Sequence, residues 1–174
     1  MTIREAKPED ASAMARVRVD TWRAAYRGIV PDVTLDNLSY ETTAKLLRRI
    51  LWEENQGEFG FVAESQGGQV VGIAVAGPVF TDKNAGFKGE VYILYVLPDF
   101  QNQGLGGALM KACAKRLAQL SLTPFMLWTY AQGSARDFYE RLGGVKVREK
   151  EDEQDGKRLM SVAYGWSNME LLQM

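Results

Sequence analysis

The sequence predicts an α/β fold, with a mixed central sheet flanked by helices on both faces. Strand-like and helix-like runs follow one another along the chain, as α/β architectures require. Residues 91–97 are almost continuously apolar and aromatic, the composition of a central strand covered on both faces. Just beyond them, Gly104, Gly106 and Gly107 open an amphipathic helix with Leu105, Leu109, Ala112, Cys113, Leu117 and Leu120 on one stripe.

The elements can be justified in order. Residues 2–6 read as a short first strand. Pro8, Glu9 and Asp10 then start a helix, with a proline and acids in the first turn where they are favoured. Ala13, Val17, Thr21, Ala24 and Ala25 recur near helical period, and Gly28 with Pro31 ends the element. A second helix is expected from about residue 35 to 54, carrying Leu38, Leu46, Leu47, Ile50 and Leu51. Residues 59–65 and 69–76 read as two strands joined by the turn Gln66-Gly67-Gly68. Residues 81–88 are polar and glycine-bearing, hence a loop. After the glycine-led helix come a strand over 125–130 and a helix over 134–142, stopped by Gly143-Gly144. Residues 145–150 and 157–165 form a closing hairpin around Asp155-Gly156, and the charged run 149–157 is expected to be its solvated tip. No repeat, low-complexity tract or linker interrupts the chain, so residues 1–174 read as one domain.

Composition narrows the function. A chain of 174 residues can bury roughly 70% of its unfolded surface, and 46% hydrophobic content suits a folded protein. The net charge of −1 lacks the basic surplus of nucleic-acid-binding domains. There is no apolar run long enough to span a bilayer, and the first residues lack the apolar stretch of a secretory signal. No membrane is expected, and the expected compartment is the cytoplasm, in keeping with a single cysteine that cannot form an internal disulfide. Cys113 falls on the apolar helix stripe and reads as an inert buried thiol. The absence of histidine excludes Ser-His and Cys-His nucleophiles and histidine-ligated metal. Any general base must then be a carboxylate, a tyrosine or a water.

The glycine-rich turn points to a phosphate. The first N–H groups of a helix lack internal partners and lie at the positive end of its dipole, so the amides of residues 101–107 form an anion cradle. The dinucleotide pattern Gly-x-Gly-x-x-Gly/Ala fails because its sixth position, counted from Gly104, is Leu109. The Walker loop fails because no Gly-Lys-Ser/Thr triplet occurs. Gln101, Gly104 and Gly106 fit Gln-x-x-Gly-x-Gly, directly after a strand ending Leu94-Tyr95-Val96-Leu97-Pro98. This resembles the acetyl-CoA signature of the GNAT N-acetyltransferase superfamily. Residues 135–144, with Ala135, Phe138, Tyr139, Glu140 and Gly143, resemble that family's later motif Asn-x-x-Ala-x-x-Phe-Tyr-Glu-x-x-Gly, with Gln132 at the Asn position. The segment Thr21-Trp22-Arg23 through Asp32 and the closing Val162-Ala163-Tyr164-Gly165-Trp166 resemble a bacterial small-molecule branch.

The resemblance implies an N-acetyltransferase that takes acetyl-CoA as cosubstrate, needs no metal, and acts on a small-molecule or peptide amine by direct attack in a ternary complex. It implies cofactor contacts at Leu94, Tyr95 and Val96, at Gln101, Asn102, Gln103, Gly104, Leu105, Gly106 and Gly107, and at Gln132 and Tyr139. Glu90 is the candidate base, and strand alternation predicts that it shares a face with Leu94. Its other reading is a solvent-facing glutamate at the start of the strand. Tyr139 is the candidate acid, its hydroxyl giving the departing thiolate a hydrogen bond or its proton, or else a packing aromatic beside Phe138. Trp22, Tyr26, Tyr92 and Trp128 are the aromatics expected near the acceptor, against a core-packing role for each. The rival function is a non-catalytic acyl-CoA-binding sensor or interaction module on the same fold, and a longer acyl group stays open. The tail from Trp166, with Met169, Leu171, Leu172 and Met174, is apolar enough to pack on a second copy as a homodimer.

Overall fold

Hydrophobic patterning divides the helices between the two faces of one sheet. The computed structural model describes residues 1–81, 83, 86–133 and 135–167. Its strands are β1 (Thr2–Glu5), β2 (Phe59–Glu64), β3 (Val70–Pro78), β4 (Gly89–Val96), β5 (Phe125–Tyr130), β6 (Val145–Gln154) and β7 (Lys157–Trp166). Its helices are α1 (Ala11–Ala25), α2 (Asp32–Asp36), α3 (Tyr40–Arg48), α4 (Leu105–Gln119) and α5 (Arg136–Arg141). The sheet order is β1-β2-β3-β4-β5-β7-β6, and only β4 and β5 run parallel. This is the mixed sheet, covered on both faces, that the sequence predicts.

On one face, Met14 and Val17 of α1 and Leu47 of α3 pack against Val62, Ile73 and Val75. On the other, Leu109, Met110, Cys113 and Leu117 of α4 pack against Val71, Ala74, Val91, Phe125 and Leu127. Gly106 and Gly107 lower the intrinsic helix propensity of the first turn, by at most about 1 kcal/mol each. Burial of Leu109, Met110 and Leu117, at about 1.5–3 kcal/mol each, outweighs that cost and holds the glycine-led helix. Burial also pushes the Cys113 thiol up to about 12, so it stays protonated and unreactive at neutral pH. At the start of the chain, Arg4 joins Asp10 and Glu64 with bonds of 2.6–2.9 Å, clamping β1, the turn before α1 and β2.

Three expectations need correction. The helix expected over 35–54 is broken. Ser39 is extended and accepts the Thr42 N–H at 3.3 Å, starting a new helix, while Arg49–Glu53 widen into a π turn. The leucine spacing continued through that break and concealed it. The hairpin is also longer than expected. The charged residues 149–153 and Gln154 belong to β6, and the tip is Asp155 with Gly156, whose φ values of 45° and 79° build the tight turn. β6 is exposed along most of its length, so hydrophobic alternation gives no sign of it. The tip is not free either, because Asp155 accepts from the Thr34 hydroxyl and Lys157 donates to the Gly28 carbonyl.

The last correction concerns β4. Its register with β3 passes from Val75↔Ile93 to Ala76↔Val91 and skips Tyr92, a β-bulge. Val91 and Leu94 consequently pack on the α4 face, whereas Tyr92, Ile93 and Tyr95 pack on the α1 face. Glu90 precedes Val91 by one residue and so faces the α1 side, opposite to Leu94. The extra residue overturns the shared face that simple alternation predicts.

Within 81–88, residues 81, 83 and 86–88 form no helix or strand, in line with the expected loop, and 82, 84 and 85 lie outside the described residues. Trp166 is buried in β7, and the remaining tail residues singled out as sticky, Met169, Leu171, Leu172 and Met174, also lie outside them. Among the described residues, no helix is long and apolar enough to cross a membrane.

Candidate active site

The parallel pair β4–β5 is bonded only at Gly89↔Phe125 and Glu90↔Met126, beyond which the strands splay apart. The wedge between them is lined by Val91, Tyr92, Leu94 and Tyr95 from β4 and by Leu127, Trp128 and Thr129 from β5, with Tyr26 and Tyr139. Three of the aromatics expected near the acceptor, Tyr26, Tyr92 and Trp128, thus meet the candidate acid Tyr139 at one place.

The backbone inside the wedge has a defined polarity. Leu97 N–H donates to Val71 O at 2.9 Å, and bonded and non-bonded pairs alternate along an antiparallel ladder. Leu94↔Ala74 and Val96↔Gly72 are therefore non-bonded pairs, and the Leu94 and Val96 N–H groups point away from β3 into the wedge. The Val96 carbonyl, turned the same way, accepts Gln101 Nε2 at 2.9 Å, which braces the following turn on the strand end.

That turn is the predicted cradle, with one revision. Gln101 N–H already donates to Pro98 O at 3.1 Å, so the available amides begin at Asn102. Asn102 and Gly104 have φ values of 58° and 79°. Ala108 is the first amide of α4 to reach a backbone carbonyl, Gly104 O at 3.0 Å, leaving Leu105, Gly106 and Gly107 without an intrahelical partner. The two motif glycines do different work. A Cβ on Gly104 would meet nothing within 4 Å, whereas one on Gly106 would lie 3.0 Å from the Phe138 ring. Gly106 thus lets α5 pack on α4, and Gly104 leaves the turn open. Gln103 binds Asp99 O through its side chain at 3.2 Å, and Gln132 is exposed in the turn after β5, apart from the wedge lining.

Tyr139 is 7% exposed, and its ring packs among Phe138, Tyr164 and Trp166 at centroid distances of 5.2–6.4 Å. Burial, reinforced by Tyr95, pushes its phenol well above the usual tyrosine range. Tyr26 and Tyr92 are raised by burial as well, and the Tyr92 hydroxyl donates to Pro78 O. Trp22 stands one ring behind the wedge, edge-on to Tyr26 at 5.0 Å, with its Nε1 donating to Tyr95 OH at 2.7 Å. Tyr130, which sequence reasoning missed, closes this aromatic wall at 5.3 Å from Tyr26. The alternating residues of 125–130 carried a signal for it, since Trp128 and Tyr130 fall on one strand face.

Glu90 is 2% exposed, not solvent-facing. Its Oε2 accepts the N–H groups of Phe80 and Thr81, each at 3.0 Å, and its Oε1 accepts the Thr81 hydroxyl at 2.8 Å. It anchors the segment after β3 beside the wedge without lining it.

A splayed parallel pair with inward amides thus ends in an open glycine turn on an α/β fold. The sequence model of the acetyltransferase (GNAT) family matches residues 20–144, and the chain belongs to that family. It is 34% identical over 172 residues to the uncharacterized N-acetyltransferase YuaI of Bacillus subtilis strain 168, covering 99% of this chain and 96% of that protein. Its fold is similar to PaiA N-acetyltransferase of Thermoplasma acidophilum, solved in complex with coenzyme A (TM-score 0.66, 18% identity, 95% and 98% of the two chains). It is also similar to a ribosomal-protein-alanine N-acetyltransferase of Brucella melitensis (TM-score 0.73, 19% identity, 97% and 100% of the two chains).

Proposed function

We propose that residues 1–174 form one acetyl-CoA-dependent N-acetyltransferase domain that moves an acetyl group to a primary amine by direct attack. The observation that carries this reading is the wedge, where inward amides, a buried tyrosine and an open helix-start cradle lie along one path. Coenzyme A suits the cradle because Gly104 leaves open the space a side chain would fill. The N-acetyltransferase relative and the neighbour solved with coenzyme A support the choice.

Bound acetyl-CoA supplies the acetyl group as an activated thioester. The Leu94 N–H donates to its carbonyl oxygen, which gains negative charge as the amine attacks, so this bond favours the transition state over the ground state, while the Val96 N–H, about 6.7 Å further along the strand, holds the next part of the thioester arm. Tyr139, kept protonated by burial, gives a hydrogen bond to the leaving sulfur rather than its proton. A carboxylate offers about four lone-pair sites, and Glu90 uses three, so one remains for a water that carries the amine's proton away. Holding amine and thioester together contributes on the order of 7–11 kcal/mol.

The test is incubation with acetyl-CoA and a panel of amines, following free thiol and the mass of the product. Coupled thiol release and N-acetylation are expected for at least one amine. Tight acetyl-CoA binding without turnover across the panel would instead favour the sensor.

A further inference from the structure

Beside the aromatic wall stands a positive charge that no carboxylate among the described residues neutralises. Arg18 is half-buried on α1, its guanidinium carbon 5.8 Å from the centroid of the Trp22 ring. Among the described residues it forms no ion pair, although Arg4 and Arg27 each hold two carboxylates. The wedge lining is uncharged, and Lys150, which covers the Trp128 ring, is paired with Asp152 at 3.1 Å. Arg18 acts on this wall: burial raises the Tyr95 phenol, and the Trp22 N–H and the Arg18 charge oppose that rise.

A second observation points the same way. Trp128 lines the wedge, and its indole Nε1 is buried without a hydrogen-bond partner among the described residues. Buried donors in native proteins are nearly always satisfied, and a ligand acceptor atom answers that need. The guanidinium over the Trp22 ring, with no carboxylate partner among the described residues, suits an oxyanion, and the Trp128 N–H suits an acceptor oxygen. One guanidinium balances a monoanion, and its planar fork matches a carboxylate.

We propose that the acceptor is an amino acid-like molecule whose carboxylate is held by Arg18 while its amine enters the wedge. This rests on the acetyltransferase reading and adds the substrate class. Trp22 orients the guanidinium by stacking, and its N–H keeps Tyr95 in place.

The experiment compares matched acceptors on the full chain: amino acids, their amides, the corresponding decarboxylated amines and the aminophosphonate analogues. The free acids are expected to have kcat/KM at least about tenfold above the amides. Arg18→Met keeps the apolar stem and loses the charge. It should lower kcat/KM for the acids about 10- to 100-fold, mainly through KM, while the amides and the acetyl-CoA-induced rise in Tm stay unchanged. Arg18→Lys should recover part of the loss because it keeps the charge without the fork. Equal use of acids, amides and amines by the wild type, or an equal loss on all of them in Arg18→Met, would overturn the inference alone. A preference for the phosphonates would overturn the carboxylate assignment. Failure to acetylate any amine would overturn the underlying reading and the inference with it.

Discussion

Gly104 offers a perturbation with a matched control. Gly104 and Gly156 share a φ of 79°, and a Cβ at either position meets nothing within 4 Å. Alanine there is forced into the left-handed region, at about 1–2 kcal/mol. For a chain of this size 1 kcal/mol corresponds to roughly 2–4 °C, so each variant should lose about 2–8 °C in Tm. The two differ in place, since Gly104 opens the cradle and Gly156 turns the distant hairpin. At a hundred times its dissociation constant, a ligand that binds only the folded state stabilises it by about 2.7 kcal/mol, or roughly 5–11 °C. If the pyrophosphate passes Gly104 as proposed, a methyl group there should remove one or two charge-assisted hydrogen bonds, at about 1.5–3 kcal/mol each, and weaken binding about a hundredfold. The same acetyl-CoA concentration would then stabilise Gly104→Ala by only about 0.4 kcal/mol, or 1–2 °C. Differential scanning fluorimetry with and without acetyl-CoA reads both quantities. If Gly104→Ala keeps the full ligand-induced shift, or Gly156→Ala loses it as well, the cradle is not where coenzyme A binds.

Further outcomes follow from the same geometry. Glu90→Gln can keep its three partners, with the amide oxygen accepting the two N–H groups and the amide nitrogen facing the rotatable Thr81 hydroxyl. We expect kcat to fall at least ~10²-fold near neutral pH and to recover partly at high pH, where the amine arrives deprotonated. Superimposable pH–rate profiles would reduce Glu90 to an anchor for the segment after β3. Tyr139→Phe should leave acetyl-CoA binding intact and cut kcat by about 10²-fold or more, and wild-type turnover would assign Tyr139 to packing. Burial raises Tyr26, Tyr92, Tyr95 and Tyr139, so the folded state holds their protons more tightly than the unfolded chain does. Their contribution is complete below the unfolded value of ~10 and is lost as pH rises from there through the folded values. Tm should therefore drop steeply above pH ~10 together with the rise in tyrosinate absorbance; tyrosinate formed at pH ~10 with no change in Tm would contradict this.

The cradle and the order of the elements were legible because both depend on local chemistry. Glycines before a helix stripe and the apolar run 91–97 signal their structures whatever lies around them. The helix break at Ser39 was not legible, since Leu38, Leu46 and Leu47 keep helical spacing across an extended residue. Neither was the β4 bulge. Nothing in Glu90-Val91-Tyr92-Ile93-Leu94 marks Tyr92 as the supernumerary residue, because the bulge arises from how β3 and β4 pair. One supernumerary residue inverts every facing upstream of it, so simple alternation puts Glu90 on the Leu94 face. The aromatic wall was half read, as Trp22, Tyr26, Tyr92 and Trp128, without Tyr130 or Arg18. Their association depends on α1 crossing the sheet, a long-range fact with no local signal.

The splay of β4 from β5 also bears on how the molecule holds together. The β1–β4 half of the sheet and the β5–β7 half share only two residue pairs, both at one end, so the backbone seam between them is a joint. Side chains bear the load that hydrogen bonds carry elsewhere, chiefly Phe125 and Leu127 wedged under α4 with Val91 and Leu117. A molecule seated along the seam acts as a splint, bridging inward amides of one half to the other. On the proposed binding, substrate occupancy would then add to the mechanical unity of the sheet.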